Sequence, residues 1–354
     1  MKILLIRASF SLLFLILITA TLLPLFRKEE WWIRIFDFPR IQIAVLSLIL
    51  LLTYFLIVPT RKAVDTFLML LLSLCILYQA YMMFPYSALA RVQVKKSSSI
   101  TPGAHFSMLI SNVLMTNRNS EQYLGIIREL NPDLVLAAET DGWWDGQLKV
   151  LKDEYPYSVR YPLANTYGMV LYSKLKLIRP EVLFLVEPDV PSIHTLAELP
   201  TGDLMELYCL HPKPPHPRKT PDTTERDAEL LLVAKRVREA ALPVVVAGDL
   251  NDVAWSHTTA LFQKISGLLD PRIGRGLYNT FDAKNPLLRF PLDHIFHSSH
   301  FRLVALERGP YFGSDHFPIF IALRYEPEKR AGQKAPPPDR KSKQEAEEKI
   351  EKAQ

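Results

Sequence analysis

The residues best suited to chemistry are an aspartate and an asparagine that follow an apolar run, Val244-Val245-Val246-Ala247-Gly248-Asp249-Leu250-Asn251. The run predicts a buried strand, and Gly248 releases the chain at its end. Side chains two positions apart on an extended backbone point the same way, so Asp249 and Asn251 can face one ligand. A carboxylate and an amide suit a hard cation or a phosphate oxygen. Alone, Gly-Asp-x-Asn is equally compatible with a turn or a helix cap.

Several other apolar runs also lie next to polar residues that can bind a ligand or a metal. The polar side chains beside these runs are Asn112, Glu139, His211, Asp293, Asp315 and His316. Such short runs predict buried strands, and the helical patterns between them, at 120–130 and 224–241, predict helices that cover the strands. The sequence therefore predicts a mixed α and β domain with polar groups gathered where strands end.

This order of motifs resembles the endonuclease/exonuclease/phosphatase superfamily, which contains DNase-I-like nucleases, sphingomyelinases and inositol phosphatases. The most specific part is the combination of Gly248-Asp249-Leu250-Asn251 with Ser314-Asp315-His316-Phe317-Pro318. The similarity covers roughly residues 105 to 325, and it includes Tyr167-Gly168-Met169-Val170, which looks like an internal strand of the family. The resemblance implies an α+β fold, a DNase-I-like four-layer sandwich of two sheets flanked by helices.

The resemblance also implies a metal centre. Phosphoester hydrolysis needs positive charge on the phosphoryl oxygens, and a divalent cation supplies it. Glu139 matches the principal ligand of Mg²⁺ (or Mn²⁺) in the family, with Asn112 beside it. Asp315 matches a residue that serves a second metal or assists the leaving group.

The remaining matches imply catalytic roles. Asp249 corresponds to the group that orients or deprotonates the attacking water, and Asn251 to a donor to the phosphate. His316 corresponds to the central imidazole, oriented by Asp293 through a carboxylate–histidine hydrogen bond. His211 corresponds to a histidine that contacts the phosphate.

Simpler interpretations stay open for some of these residues. Asn112 can also cap a turn, and Glu139 can be a solvated loop carboxylate. His211 precedes Pro212, which favours an extended loop whatever its function. His294 follows Asp293 directly and is predicted to be structural, because the family pattern tolerates other residues there.

The N-terminal third has a different character. Three apolar runs, at about 3–26, 41–58 and 64–84, are each long enough to cross the hydrocarbon core of a bilayer. A cleaved signal peptide would explain the first run only, and three such runs in succession do not fit buried core helices. We therefore expect an integral membrane protein, with a transmembrane module at 1–84, a linker at 85–104 and the catalytic domain at 105–326.

The charged flanks of these runs give conflicting topology signals. Lys2, Arg7 and the Arg61-Lys62 loop favour a cytoplasmic N-terminus, and hence an external catalytic domain after three spans. The other side carries more basic residues, namely Arg27, Lys28, Arg34, Arg40, Arg91, Lys95 and Lys96. The layout resembles the membrane-anchored group around vancomycin-resistance protein J, which favours a bacterial cell membrane with the domain outside.

Composition adds little about partners. The 354 residues have a formal net charge of +5, but the basic residues are spread over membrane flanks, loops and tail. One local cluster, Lys213, His216, Arg218 and Lys219, follows His211 and is either a source of charge for a phosphate or a solvated polyproline-type loop. Residues 327–354 are rich in Lys, Glu and Pro and predict a disordered tail with a frayed helix at 344–352, and a helix that docks on a partner is the alternative.

The functional expectation is a membrane-tethered, Mg²⁺-dependent phosphoesterase acting on a phosphate ester or diphosphate. Tethering places the site near a bilayer, and the resemblance points to a lipid-linked substrate such as a polyprenyl diphosphate. One alternative is a membrane-anchored nuclease acting on DNA or RNA, which would need an extended basic groove. A second is an inactive phospholipid-binding module, which would have no use for the full set of polar residues. The sequence carries no signal on oligomeric state.

Overall fold

The structure, a computed structural model, describes residues 2–60, 62–98, 105–216 and 220–354. Arg61, Arg218 and Lys219, which entered the topology and charge arguments, lie outside the described residues, as do residues 99–104 of the predicted linker. The chain divides into two compact units. The N-terminal unit is Met1–Ala90 with Pro215–Thr223, and the sandwich unit is Arg91–Pro214 with Thr224–Gln354.

The described residues form helices in both units and strands in the sandwich unit. The α-helices are α1 (Lys2–Leu22), α2 (Trp31–Arg34), α3 (Arg40–Ile57), α4 (Ala63–Met83), α5 (Ser120–Leu130), α6 (Gly142–Leu148), α7 (Thr224–Glu239), α8 (His257–Ser266) and α9 (Arg340–Ala353). The strands are β1 (His105–Asn112), β2 (Leu134–Ala138), β3 (Tyr157–Tyr161), β4 (Met169–Ser173), β5 (Leu177–Leu183), β6 (Ser192–Glu198), β7 (Leu204–Leu210), β8 (Val244–Asp249), β9 (Asp293–His297), β10 (Phe301–Arg308) and β11 (Ile319–Tyr325).

Three helical segments of the N-terminal unit are long and apolar enough to cross a membrane. They are Lys2–Phe26, Arg40–Ile57 and Ala63–Tyr86, close to the runs predicted from the sequence. The helices pack on one another through a small apolar cluster that includes Phe14, Tyr54 and Leu72. Most of their remaining apolar side chains face outward, as expected of helices in contact with lipid.

Two of the basic residues beside the predicted membrane spans, Arg34 and Arg40, form buried ion pairs. Arg34 Nη1 lies 3.2 Å from Asp37 Oδ2, and Arg40 Nη2 lies 2.5 Å from Asp37 Oδ1. Arg40 also donates to Gln79 Oε1 at 3.0 Å, which links the start of α3 to α4. Arg34 and Arg40 therefore build the interior of the unit and do not form part of a solvated basic flank.

The N-terminal unit also includes a segment that is distant in sequence. The backbone N–H of Trp31 donates to Pro221 O at 2.9 Å, and that of Thr223 donates to Glu29 O at 3.0 Å. Glu30 and Asp222 form an isolated antiparallel bridge between these two contacts. Residues 221–223 therefore pair with the loop that follows α1.

The sandwich unit is built on two sheets. One has six strands in the order β10-β11-β1-β2-β4-β3, and the other has five in the order β5-β6-β7-β8-β9. Apolar side chains of both sheets meet in one cluster, which includes Met108, Leu136, Leu207 and Val245. Because side chains alternate along a strand, Val244 and Val246 instead face α7 and α8 on the outside. The other sheet is covered in the same way by α5 and α6. The result is the four-layer α+β sandwich that the resemblance implies.

The sandwich unit begins earlier than the predicted boundary. Val94 is fully buried in the core between the sheets. The backbone N–H of Ser97 donates to Leu303 O at 2.9 Å, and the N–H of Leu303 donates to Lys95 O at 3.1 Å. Residues 91–97 of the predicted linker therefore belong to the folded unit, because an edge of the sheet offers them backbone partners.

The C-terminal residues are more ordered than their composition predicts. Helix α9 packs against α7 and α8, and its Ala346 and Ile350 enter the outer apolar cluster. Lys349 Nζ lies 2.9 Å from Asp227 Oδ2 inside the unit. The sequence predicted a frayed helix or one docked on a partner, and not a helix packed on its own unit, because the residues that Ala346, Ile350 and Lys349 contact lie far away along the chain.

Replacing Lys349 with methionine should lower the free energy of unfolding by about 2 kcal/mol, because Asp227 would stay buried with fewer cationic partners. Arg226 Nη2 still lies 2.8 Å from Asp227 Oδ1, so the loss of stability should be smaller than for a buried carboxylate without any cationic partner. Chemical unfolding of the detergent-solubilised chain measures the change. Lys343→Met, an exposed change on the same helix, is the control. Equal stability of the two variants would show that the ion pair contributes nothing.

Glu229 on α7 makes stability depend on pH. Burial raises the pKa of its carboxyl from 4.5 to about 7, although the Ser192 hydroxyl, which donates at 2.5 Å, works against the rise. A pKa raised by folding means that the native state holds the proton more tightly. The stabilisation is therefore complete below about pH 4.5 and is lost as the pH rises through 7.

Glu229→Gln should therefore be more stable than the wild type at pH 8, by roughly 3 kcal/mol, and nearly equal at pH 4.5. The measurement is the free energy of unfolding against pH for both proteins. Glu239→Gln, at the exposed end of the same helix, should follow the wild type throughout. A constant difference between Glu229→Gln and wild type across this range would contradict the assignment.

Candidate active site

Polar side chains from both sheets reach the same end of the sandwich because strand faces alternate. They are Asn112 on β1, His211 after β7, Asp249 on β8 and Asp293 on β9. Each lies two positions from a residue of the core between the sheets, namely Ile110, Cys209, Ala247 and Ile295. A spacing of two keeps a side chain on the same face of a strand, so all four point into the gap between the sheets. The four are buried.

Glycine lets the strands come close enough to form this group. Gly248 has φ +144°, and a Cβ added to it would lie 1.9 Å from the carbonyl oxygen of Leu210. Strand β8 can therefore pair with β7 at this point only with glycine, and the pairing brings Asp249 next to His211. Gly168 has the same role beside the loop of Glu139, where an added Cβ would lie 1.9 Å from Thr140 O.

Asp249 is the centre of the group and is only 1% exposed. Its Oδ2 accepts a hydrogen bond from Asn112 Nδ2 at 3.1 Å and lies 3.7 Å from His211 Nε2 and 3.6 Å from His316 Nε2. Its Oδ1 accepts from the backbone N–H of Asn251 at 3.0 Å. A buried carboxylate held by neutral donors and flanked by two imidazoles is well placed to bind a water and take a proton.

Asp293 and His316 form a carboxylate–histidine pair. His316 Nδ1 lies 2.8 Å from Asp293 Oδ2, and the ring orientation turns Nε2 towards Asp249. Burial alone would lower the pKa of His316, but the charges of Asp293 and Asp249 and the hydrogen bond to Asp293 raise it to about 10. The charged form of His316 is therefore favoured at neutral pH, with Nε2 3.6 Å from Asp249 Oδ2.

Glu139 and Asn112 lie together at the open side of the group. Asn112 Nδ2 donates to Glu139 Oε1 at 2.9 Å, and the backbone N–H of Met115 donates to Oε2 at 3.2 Å. Asn112 Oδ1 accepts from the N–H of Leu114 at 2.9 Å, so its amide nitrogen, and not its oxygen, faces the carboxylates. In this arrangement the Asn112 amide connects Glu139 and Asp249, and its role as a metal ligand stays a prediction.

Asp315 completes the set of carboxylates. Burial raises its pKa; His316 opposes that shift, and the negative charge of Glu139 adds to it. Ser314, its neighbour, donates to Asn112 O at 2.7 Å and accepts from the N–H of His316 at 3.0 Å, which fixes the turn before β11. The carboxylates of Asp315 and Glu139 therefore repel each other, although the two residues come from distant parts of the chain.

The donor set fits a divalent cation. Asp249 and Asp293 lie next to His316, Asp249 also lies next to His211, and the half-buried Glu139 and Asp315 interact electrostatically with each other. Asp249, Asp293 and His316 also have ligand atoms within 4.8 Å of one another. Within the described residues, the buried Asp293 Oδ1 and His211 Nδ1 have no hydrogen-bond partner. A bound cation would relieve the repulsion between the carboxylates and would give the unpaired Asp293 Oδ1 a partner.

Two site residues hold strained backbone conformations. Glu139 has φ +58° and Asn251 has φ +52°, in the left-handed region that non-glycine residues rarely adopt. Glu139 follows the end of β2 directly, whereas Asn251 lies two residues beyond the end of β8 and its side-chain nitrogen donates to Pro212 O. Strain of about 1–3 kcal/mol per residue persists only where the surroundings enforce it, which is common at functional sites.

Arg226 supports the site and was missed by the sequence analysis. It is buried on α7, donates from Nη1 to Asn251 O at 2.7 Å and lies 3.3 Å from Asp252 Oδ2. Asn251 Nδ2 in turn donates to Pro212 O at 2.9 Å, which connects the loops after β7 and β8. The sequence carries one sign of this role. The charged residues Arg226 and Asp227 stand at positions of α7 that the apolar stripe of the helix predicts to be buried.

Other residues raised by the sequence have structural positions. His294 points away from the group, with Nε2 2.8 Å from Asp252 O and Nδ1 2.7 Å from Arg272 Nη2. Burial lowers the pKa of His294 well below its usual value, so it stays neutral. Lys213, in the basic loop, lies 3.4 Å from Glu187 Oε1, so part of that loop's charge is offset.

A protein-family profile covers the part of the chain that contains these residues. The sequence profile of the endonuclease/exonuclease/phosphatase family matches residues 109–316, which is more than half of the chain and contains every candidate site residue. A search of curated proteins returned no match.

Solved structures share the fold at low sequence identity. A humanized D. rerio TDP2 is 15% identical with a TM-score of 0.53, covering 62% of this chain and 99% of that one. D. rerio TDP2 complexed with single-strand DNA product is 17% identical with a TM-score of 0.52, again covering 62% and 99%. The human Nocturnin catalytic domain with bound sulfate is 16% identical with a TM-score of 0.52, covering 64% and 96%. These similarities confirm the predicted two-sheet α+β sandwich.

Proposed function

Because this chain belongs to the endonuclease/exonuclease/phosphatase family, we propose that it is a metal-dependent phosphoesterase tethered to a membrane by its N-terminal helices. Members of the family are usually hydrolases that act on phosphodiester bonds, and they commonly use divalent metals. The observation that carries the proposal is the position of Asp249, buried between His211 and His316 at the end of the sandwich. A site without activity would gain nothing from burying so many ionisable groups together.

Glu139 and Asp315 are the proposed metal-binding residues, with Asn112 positioning Glu139. A bound Mg²⁺ or Mn²⁺ would neutralise negative charge on the phosphoryl oxygens. Both carboxylates are less buried than Asp249 and Asp293, so an incoming ion and substrate can reach them.

The other residues act on the water and the phosphate. Asp249 orients the attacking water and accepts its proton as the new P–O bond forms and the bond to the leaving group breaks. Charged His316, fixed by Asp293, stabilises the negative charge that builds on the phosphoryl oxygens. His211 and the amide of Asn251 supply further donors to the phosphate.

The proposed substrate is a phosphate ester or diphosphate linked to a membrane lipid. Three helices long enough to span a bilayer would anchor the chain in a membrane. A substrate embedded in the same membrane would then not have to be captured from solution. Similarity in layout to the group around vancomycin-resistance protein J supports a polyprenyl diphosphate, a bacterial cell membrane and an external catalytic unit.

A nuclease is the second candidate, since one structural neighbour was solved with a single-strand DNA product. A nuclease that holds an extended strand needs several phosphate contacts, and its binding weakens steeply with salt. The sequence offers one basic loop after His211, and Lys213 in it already has an acidic neighbour.

Parallel assays of the full chain in phospholipid vesicles separate these candidates. The substrates are a polyprenyl diphosphate in the bilayer and plasmid or single-stranded DNA in solution, each with Mg²⁺ at low and high salt. Phosphate release from the lipid, with little salt dependence and intact DNA, supports the proposal. DNA cleavage without lipid turnover would replace it with the nuclease.

A further inference from the structure

An exposed apolar tip lies on a hairpin of the sandwich unit. Leu287 is 78% exposed and Leu288 is 46% exposed, and Leu287 is the most exposed large apolar side chain among the described residues of that unit. A single exposed leucine is ordinary on a protein surface. Two in succession at the tip of one loop form an exposed apolar patch, which is a feature of surfaces that bind a partner or a membrane.

The hairpin satisfies its own backbone at the tip. Phe281 and Phe290 form the bridge that closes it, and the N–H of Asp282 donates to Leu288 O at 3.2 Å. Asn285 Oδ1 accepts from the N–H groups of Leu287 and Leu288 at 3.1 and 3.3 Å. The two leucine amides therefore already have partners, so the tip can enter an apolar medium at a small cost in backbone desolvation.

The base of the hairpin is joined to the active site. The N–H of Ala283 donates to Asp315 O at 2.7 Å, and Phe281 forms a bridge with His316. The guanidinium of Arg289 lies 5.0 Å from the ring centre of Phe317, the residue after His316. The hairpin that carries the two leucines is therefore bonded at its base to Asp315 and His316 of the proposed site.

Charge at the hairpin matches a lipid interface. Lys284 and Arg289 flank the leucines. The guanidinium of Arg308 lies 4.4 Å from the centre of the Phe317 ring, the same ring that Arg289 contacts. Apolar side chains between cations suit the boundary of a bilayer, where acyl chains lie below anionic headgroups. A bilayer is available to this chain, because three of its own helices are long enough to span one.

We propose that the 282–289 hairpin inserts Leu287 and Leu288 into the surface of the bilayer and so holds the lipid part of the substrate beside Asp315 and His316. The partner is the phospholipid bilayer itself, and the cations next to the tip contact its phosphate groups. The role in substrate selection rests on the proposed lipid-linked substrate, whereas insertion of the tip does not.

The first test measures insertion without any substrate. Leu287→Cys is labelled with an environment-sensitive fluorophore in the full chain, reconstituted in vesicles of neutral and anionic phospholipid. Both native cysteines, Cys75 and Cys209, are buried, which directs the label to the new site. Val150→Cys, at a side chain that is 54% exposed on another element, is the control.

The label at position 287 should emit as in an apolar medium and be quenched by brominated acyl chains, while the label at 150 emits as in water. Emission from position 287 that is water-like, or quenched no more than that from 150, would overturn the proposal. Vesicles without anionic lipid should show weaker insertion, and free inorganic phosphate should not compete, because the cations act on headgroups at the interface.

The second test measures selection. Leu287→Ser with Leu288→Ser should lower turnover of polyprenyl diphosphate in vesicles at least about tenfold, because two leucine contacts with lipid are lost. Turnover of a water-soluble aryl phosphodiester should stay within about twofold, since the variant leaves the reacting groups in place. An equal loss on both substrates, or none on the lipid, would contradict the role in selection. If the wild type does not hydrolyse the lipid at all, the proposed substrate fails and the fluorescence result still decides insertion.

Discussion

Replacing Asp249 with asparagine is expected to lower the turnover of a phosphoester roughly 10³-fold, as is typical for loss of a positioned general base. The amide keeps the shape of the side chain and can still accept from the N–H of Asn251, which now bonds to Oδ1 at 3.0 Å. It cannot take a proton from water. The measurement is kcat with Mg²⁺ at saturating substrate, for wild type and variant purified in the same way.

The fold should survive this change. Asparagine loses the bond that Asn112 Nδ2 donates to Asp249 Oδ2 and the attraction of the two histidines, and weaker repulsion among the remaining carboxylates offsets part of that loss. Its thermal midpoint should stay within a few degrees of the wild-type value, a shift of about 1 kcal/mol or less. Asp153→Asn, an exposed change, is the control for activity and stability. Near-normal hydrolysis by a folded Asp249→Asn protein would remove Asp249 from the mechanism.

Removing divalent metal is expected to have an effect of similar size. Treatment with EDTA should reduce hydrolysis to background, and added Mg²⁺ or Mn²⁺ should restore it, because positive charge on the phosphoryl oxygens is lost with the ion. The ion should also stabilise the fold, by about 2.7 kcal/mol at 100 times its Kd, since it binds carboxylates that otherwise repel one another.

Glu139→Gln is the matched variant for the metal assignment. It keeps an oxygen near Asn112 Nδ2 but loses the negative charge. The thermal shift caused by Mg²⁺ should disappear in this variant and persist in Glu121→Gln, a carboxylate in the first turn of α5. Hydrolysis that is indifferent to chelator, or a full Mg²⁺ shift in Glu139→Gln, would be incompatible with the proposed metal site.

Alternation along strands explains how much of the site the sequence could predict. The pattern of Val245, Ala247 and Asp249 already places a carboxylate on the inward face of a strand, and the structure has it there. The same reasoning brings Asn112 and His211 to the same end of the sandwich. The family resemblance then predicted which of the distant motifs meet, which local periodicity cannot do.

The parts that the sequence did not predict depend on long-range contacts of single polar atoms. The amide of Asn112 turns its nitrogen to the carboxylates because the N–H of Leu114 occupies its oxygen. Helix α9 docks through Lys349 and Asp227, which are 122 residues apart. Arg34 and Arg40 are buried around Asp37, where charge counting treats them as solvated. None of these contacts changes the hydrophobic pattern.

The most direct test of the central claim is phosphate release from a polyprenyl diphosphate by the full chain in vesicles, with wild type and Asp249→Asn compared in the same Mg²⁺ buffer. We predict release by the wild type that the variant reduces to near background and that EDTA abolishes. Equal release by both proteins, or no release by a folded wild type from this lipid or from any other phosphoester offered, would contradict it.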